Sequence, residues 1–321
     1  MTSRVLVLMA VLAAGGAPRA SADMGRIMTS PVKVEETGQR AIILHNLAEE
    51  VLILGTDLEG AGPAGLLRFI PFPSEPRVGV APAEVFGKLA GLVETKHLRY
   101  VRFTKSRGTQ AGPAVELRLA ERLGDHDLTV IRVNRPEEFR AWVDAYFRDH
   151  NLPPAADLDA VSQVVADYVR DGIIYFVIDH VQLPAGPRSV DPLVLTFKSD
   201  QLYYPLRTSN TFGGRGEITL FLITPRTLYR GPVFDFPGDG HAEPTTSAQV
   251  LPDELRGVFA AAGAFFGQQP LFLQAVRWYG PYQFDRDLRL DLAKGTDRPW
   301  DVSERSSSPF DHLLDGLKPG P

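Results

Sequence analysis

Residues 173–183 read IIYFVIDHVQL, β-branched and aromatic, with both faces apolar over the first six positions. A strand of this kind needs apolar cover on both sides, so it predicts a central position in a sheet buried on two faces. Few architectures satisfy that demand, and the residues just before the run supply one of the covers.

Two helices precede it. In the first, Asn134 is the expected cap, Pro136 sits near the start and Glu137 lies three residues after the cap. Phe139, Trp142, Val143, Tyr146 and Phe147 fall at i, i+3, i+4, i+7 and i+8, one continuous apolar stripe. Pro153-Pro154 ends it. In the second, Asp157 is the expected cap, and Val161, Val164, Val165, Tyr168 and Val169 repeat the spacing. Gly172 is the expected left-handed stop.

The remaining periodicity is mostly that of strands. Arg40–Asn46 and Glu50–Leu54 flank a short link and read as a hairpin. Leu66–Phe72, Leu98–Phe103, Val115–Arg122, Leu128–Val133, Leu193–Phe197 and Glu217–Thr224 are further strands, with Gly124-Asp125 as the turn between Val115–Arg122 and Leu128–Val133. Pro82–Val93 and Leu251–Phe266 have helical spacing, and Leu271–Tyr279 reads as extended. A weak echo between Arg40–Ser74 and Ile173–Ser209 raises a duplicated three-strand unit. Together these predict an α+β fold: a mixed, largely antiparallel sheet with the 136–171 helix pair on one face, open to division into two lobes meeting near residue 125. The domain is expected over 23–294, and the polar stretch 295–321 is expected as a loosely ordered tail.

The first 22 residues stand apart from this pattern. Arg4 precedes the apolar run Val5–Ala14, and Ala20-Ser21-Ala22 closes it. That is the layout of a secretory signal peptide, with cleavage expected near Ala22. The run is about half the length a membrane span requires, and no later segment approaches it. The expectation is therefore an exported, soluble protein, periplasmic or secreted. Cysteine is absent, which removes disulfides, thiolate nucleophiles and cysteine-ligated zinc. Stability must come from the core, and about 300 residues bury roughly three-quarters of their unfolded surface. The chain carries 34 Lys and Arg against 39 Asp and Glu, a net charge of −5, and the leader's only charges are Arg4 and Arg19. No polybasic block occurs, so nucleic acid and anionic membrane surfaces are poor partners.

Several segments, in order, resemble the domain of unknown function 2330 family. They are Glu35–Glu59 (EETGQRAIILHNLAEEVLILGTDLE), Phe72-Pro73-Ser74, Arg122–Val133 (RLGDHDLTVIRV), the helix around Trp142, Tyr168–Phe176 (YVRDGIIYF) and Pro205–Ser209. The resemblance spans roughly residues 24 to 225. It implies an exported prokaryotic protein of unknown activity and carries no catalytic residue over. Many members have cysteines near the processed N-terminus and a hydrophobic C-terminal anchor; this chain has neither pattern, which favours a free form.

Known catalytic motifs are missing from the chain. There is no His-Glu-x-x-His, no Gly-x-Ser-x-Gly elbow and no Walker loop. Ser30-Pro31-Val32-Lys33 fits Ser-x-x-Lys only in letters, because that chemistry needs a helix start. Asp235, Asp239, His241 and Glu243 lie in one Gly/Pro-rich loop and offer oxygen and imidazole ligands, although a solvated loop is the simpler reading. Asp179-His180 interrupts the apolar strand and offers an acid or base; local pairing is the simpler reading. His45 and Asp125-His126-Asp127 fall at strand ends or turns. Trp278, Tyr279, Tyr282 and Phe284 crowd around Gly280-Pro281 and offer a stacking surface, or core packing. No residue is assigned a catalytic, cofactor or metal role, and no cofactor is expected. The leading expectation is a non-catalytic envelope protein that binds an unknown partner or ligand. The alternative is an envelope hydrolase or metal-assisted enzyme using Asp179, His180 or the 235–243 loop, and a purely structural component is a third reading.

Overall fold

The computed structural model describes residues 25–32, 34–99, 115–123, 126–155, 158–211, 214–228 and 235–300. In chain order the elements begin β1 (Gly25–Met28), β2 (Val34–His45), β3 (Glu49–Gly60), β4 (Ala64–Phe72), β5 (Arg77–Val80), α1 (Val85–Thr95), β6 (Val115–Leu123), β7 (His126–Val133), α2 (Pro136–Asp149) and α3 (Leu158–Arg170). They continue β8 (Tyr175–Leu183), β9 (Gly186–Ser189), β10 (Leu193–Lys198), β11 (Leu202–Tyr204), β12 (Arg215–Thr224), β13 (His241–Pro244), β14 (Ala248–Val250), α4 (Pro252–Val258), α5 (Ala262–Phe266), β15 (Leu271–Pro281) and β16 (Leu288–Leu290). The class is α+β.

Among the described residues there are two sheets instead of one, plus a ribbon. A five-stranded sheet has the order β1-β4-β8-β7-β6, and a nine-stranded sheet runs β13-β15-β12-β2-β3-β10-β5, with β14 added to β15 and β9 to β3. The ribbon is β11-β16. Among the described strands only β2 and β12 pair in parallel. The anticipated central strand is β8, the middle of its sheet.

Side-chain alternation sorts the layers. Phe176 and Phe69 face the helix pair: Phe139 of α2 lies 6.1 Å from Phe69 and 6.3 Å from Phe176, and Tyr168 of α3 lies 6.2 Å from Phe176. Phe72, on the opposite face of β4, meets Phe197 of β10 at 4.9 Å. The five-stranded sheet is thus covered by helices on one side and by the nine-stranded sheet on the other. The far face of the larger sheet presents Ile42, Leu44, Ile53, Ile223 and Leu273 to α1, α4 and α5. Four layers result, helix–sheet–sheet–helix, which is why β8 can be apolar on both faces.

Local grammar is largely as expected, with corrections. The cap of α2 is Arg135, in extended conformation and without a side-chain cap bond, so Asn134 is one residue too early. Asp157 lies outside the described residues. Gly172 takes φ +73° and stops α3. The helix expected over Leu251–Phe266 breaks into α4 and α5 because Phe259 is extended (φ −141°, ψ 111°). Of the strand expected over Leu98–Phe103, positions 100–103 lie outside the described residues, and Leu98 and Arg99 are not in a strand. The echo of Arg40–Ser74 in Ile173–Ser209 is not a structural repeat: the first runs from the large sheet to the small one, the second from the small to the large.

Residues 1–24, including the expected signal peptide, and 124–125 lie outside the described residues. The strands flanking position 125 pair directly, Leu123 opposite His126. The packed chain also runs past 294. Thr227 and Thr296 form a bridge, Trp300 is buried, and its N–H donates to Ser247 Oγ at 2.6 Å. Among the described residues no helix is long and apolar enough to cross a membrane.

Candidate functional site

Asp179 and His180 point to opposite faces of β8, so they do not form one site. Asp179 lies between the sheets and is fully buried. Its Oδ2 accepts from Arg68 Nε at 2.9 Å, from Arg68 Nη2 and from His126 Nδ1 at 2.9 Å. Arg68 Nη1 donates to Thr56 Oγ1 on β3 at 3.1 Å, and His126 Nε2 contacts the Asp191 carbonyl at 2.7 Å. Arg68 Nη2 also lies 3.4 Å from His126 Nδ1, so the guanidinium, the imidazole and the carboxylate meet at one point. Burial alone would raise the Asp179 carboxyl; the Arg68 charge and the His126 bond outweigh it and hold it below the usual carboxylate range. Polar groups from β4, β7 and β8 thus reach across to the larger sheet. His126, expected near a turn, is a core residue of this bolt. His180 faces the helices, edge-on to Tyr146, with Gln182 Nε2 at 2.8 Å and Thr29 Oγ1 at 3.4 Å.

The 235–243 loop is pinned rather than open. Asp235 accepts from Arg286 at 2.6 Å, Glu243 accepts from Arg277 at 2.6 Å, and His241 lies 3.4 Å from Glu243. Gly238, at φ +76°, and Gly240 leave no room for a Cβ against Phe284 and Trp278. Among the described residues no three His, Asp or Glu side chains converge in metal-binding geometry. Trp278, Tyr282 and Phe284 are buried and pack together with Phe236, so these rings form core and not a stacking surface. Only Tyr279 is exposed, with Arg215 5.5 Å from its ring centroid.

A second buried network centres on Asp287, which the sequence reading did not single out. Its Oδ1 accepts from the Tyr168 hydroxyl at 2.6 Å and from the Leu206 and Arg207 N–H groups at 2.9 and 3.1 Å. Oδ2 accepts from the Tyr203 hydroxyl at 3.2 Å. Arg207 pairs with Asp171 and stacks 4.2 Å from the Tyr168 ring. No local pattern marks Asp287; only its contact with Pro205–Ser209 reveals it.

One open feature of the described surface is a cleft of about 480 Å³ lined by Leu47, Ala48, Pro73, Lys198, Ser199, Asp200 and Arg289. One wall is the tip of the β2–β3 hairpin. Asn46 N–H donates to Glu49 O at 3.1 Å, closing a two-residue loop, and Asn46 Oδ1 accepts from the Ala48 and Glu49 N–H groups. Leu47 is the first loop residue at φ +82°, a position that suits glycine. Its side chain is 45% exposed. The N–H of this strained residue donates to His45 Nδ1 at 2.9 Å. Leu47→Gly is therefore expected to raise stability by about 1 kcal/mol, read from urea unfolding.

Beneath the tip, His45 and Glu50 face each other across the hairpin, both fully buried. Burial lowers the His45 imidazole to about 4, against the opposing pull of the Ser199 and Gln201 backbone and the Asp200 charge. Burial likewise pushes the Glu50 carboxyl well up, although Tyr203 N–H donates to its Oε2 at 2.7 Å. Glu50 is thus neutral when folded at pH values where the unfolded chain ionises, a difference that costs stability as pH rises. Glu50→Gln keeps the acceptor and removes the ionisation; it is expected to stabilise at pH 7 by on the order of 1 kcal/mol or more, with the gain disappearing in acid.

A family model described as an uncharacterized protein conserved in bacteria matches residues 27–230. No curated protein and no solved structure matches the chain. The architecture extends beyond the matched region: β15 hydrogen-bonds along β12, and Asp287 ties the Pro205–Ser209 segment in place. The match covers well over half of the chain and holds the β2–β3 hairpin, the Arg68–Asp179 bolt and the helix pair, and on that basis the chain belongs to the domain of unknown function 2330 family.

Proposed function

We propose that this is an exported, soluble envelope protein that acts by binding rather than by covalent chemistry, with the hairpin-tip cleft as its binding site. One observation carries the reading. Asp179, the acid best placed in the sequence for catalysis, is sealed in a charge-balanced cluster between two sheets, whereas unpaired charges gather at an open cleft. Buried ion pairs of that kind fix structure; open concave sites with a few polar groups take ligands. The alternative of an envelope hydrolase or metal-assisted enzyme relied on Asp179, His180 or the 235–243 loop, whose side chains face different parts of the fold.

Export is tested by mass spectrometry of the processed chain. A terminus at Asp23 in material from outside the cytoplasm supports the proposal, and an intact Met1 terminus there contradicts it. Binding is tested by analysing small molecules retained on protein recovered from envelope extracts. A ligand recovered unchanged supports the reading; its conversion to another compound by the purified protein contradicts it.

A further inference from the structure

We infer that the cleft at the hairpin tip binds a small monocarboxylate bearing an aliphatic group. The inference rests on the binding reading above and adds the chemistry of the ligand. Lys198 and Arg289 both line the cleft, and among the described residues neither forms an ion pair. Elsewhere Arg68, Arg77, Arg207, Arg277 and Arg286 are each matched to a carboxylate. The Arg289 guanidinium is held over the Tyr203 ring, 5.3 Å from its centroid. Stacked in that way, its N–H edge stays free for a two-oxygen acceptor.

Asp200 lines the same cleft. Two cations and one carboxylate leave a single net positive charge, which a monoanion balances. A phosphate dianion exceeds it, and its second negative charge adds to the repulsion from Asp200. Ser199 is committed to its own turn, donating to Gln201 O at 2.5 Å, so it shapes the rim. The opposite wall is apolar: Leu47, Ala48 and Pro73. Leu47 is held in backbone strain with its side chain in the open, and strain of this kind collects where ligands bind. An aliphatic chain fits against that wall while its carboxylate reaches the cations. A volume of about 480 Å³ is in the range of small-molecule sites.

The test is a calorimetric titration of the protein with N-acetyl-leucine, N-acetyl-leucinamide and inorganic phosphate, with NMR of the probe in the same samples. The acid is expected to bind saturably. The amide and phosphate are expected to bind at least about tenfold more weakly. Arg289→Gln and Lys198→Gln, both at exposed positions, should weaken the acid about tenfold without lowering the unfolding midpoint. Leu47→Gly should weaken it while raising the midpoint. Absence of saturable binding at millimolar acid, equal binding of acid and amide, preference for phosphate, or indifference to both charge replacements overturns the ligand class and leaves the binding reading standing. Hydrolysis of the probe, seen as free leucine, overturns the binding reading itself.

Discussion

Asp179→Ala is expected to destabilise the protein by about 3–5 kcal/mol, the largest effect of any single replacement considered. Arg68 is 3% exposed and Asp179 not at all. Removing the carboxylate leaves a guanidinium in the interior without its counter-charge, and leaves His126 Nδ1 without an acceptor. The entropy of unfolding of a domain this size translates such a loss into a midpoint lower by roughly 5–10 °C. Asp179→Asn keeps the shape but not the charge and should fall nearly as far. The diagnostic result is non-additivity. With Arg68→Met already in place, Asp179→Leu should cost much less than alone, because no charge is left unbalanced. A surface-like cost below 0.5 kcal/mol for Asp179→Ala would show that the cluster does not hold the sheets.

Acid should weaken the fold by about 3 kcal/mol through His45 alone. Its folded value of about 4 lies below the ordinary 6.5 because burial disfavours the charged ring. Above pH 6.5 the ring is neutral in both states and its contribution is fully present. As pH falls from 6.5 toward 4, the unfolded chain takes up a proton that the folded chain refuses, and the contribution is lost. The Asp179 carboxyl adds a further loss below the ordinary carboxylate value, as pH falls through its depressed folded value. In His45→Gln the fall between pH 6.5 and 4 should be smaller by about that amount, as read from urea unfolding at a series of pH values. An unchanged slope would mean that His45 titrates normally. Protonation of the folded ring, near pH 4, also removes the acceptor for the Leu47 N–H, so cleft binding should weaken there and not at pH 5–6.

Elements governed by local periodicity were legible in the sequence. The stripe Phe139–Phe147, the stop at Gly172 and the two-faced run Ile173–Ile178 each report their own environment. Division into two sheets was not legible, because pairing partners are far apart: β2 pairs with β12 across some 180 positions. Caps slipped by a residue where an arginine rather than a capping side chain starts α2. The bolt left one readable trace, namely opposite charges, Arg68 and Asp179, inside two otherwise apolar strands. Asp287 left none, since its partners come from α3, β11 and the following turn. The cleft was hidden for a related reason. Lys198, Arg289 and Leu47 belong to three distant segments, and only the positive φ of Leu47 marks the tip as unusual.

The division of labour between a structural bolt and a binding cleft is tested most directly by thermal-shift titration with N-acetyl-leucine on Asp179→Asn and Arg289→Gln side by side. Asp179→Asn should lose several degrees of midpoint and still be stabilised by the probe. Arg289→Gln should keep its midpoint and lose the response. Loss of the probe response in Asp179→Asn at a temperature where it is folded, with Arg289→Gln responding like the parent protein, would contradict the assignment and return Asp179 to the functional site.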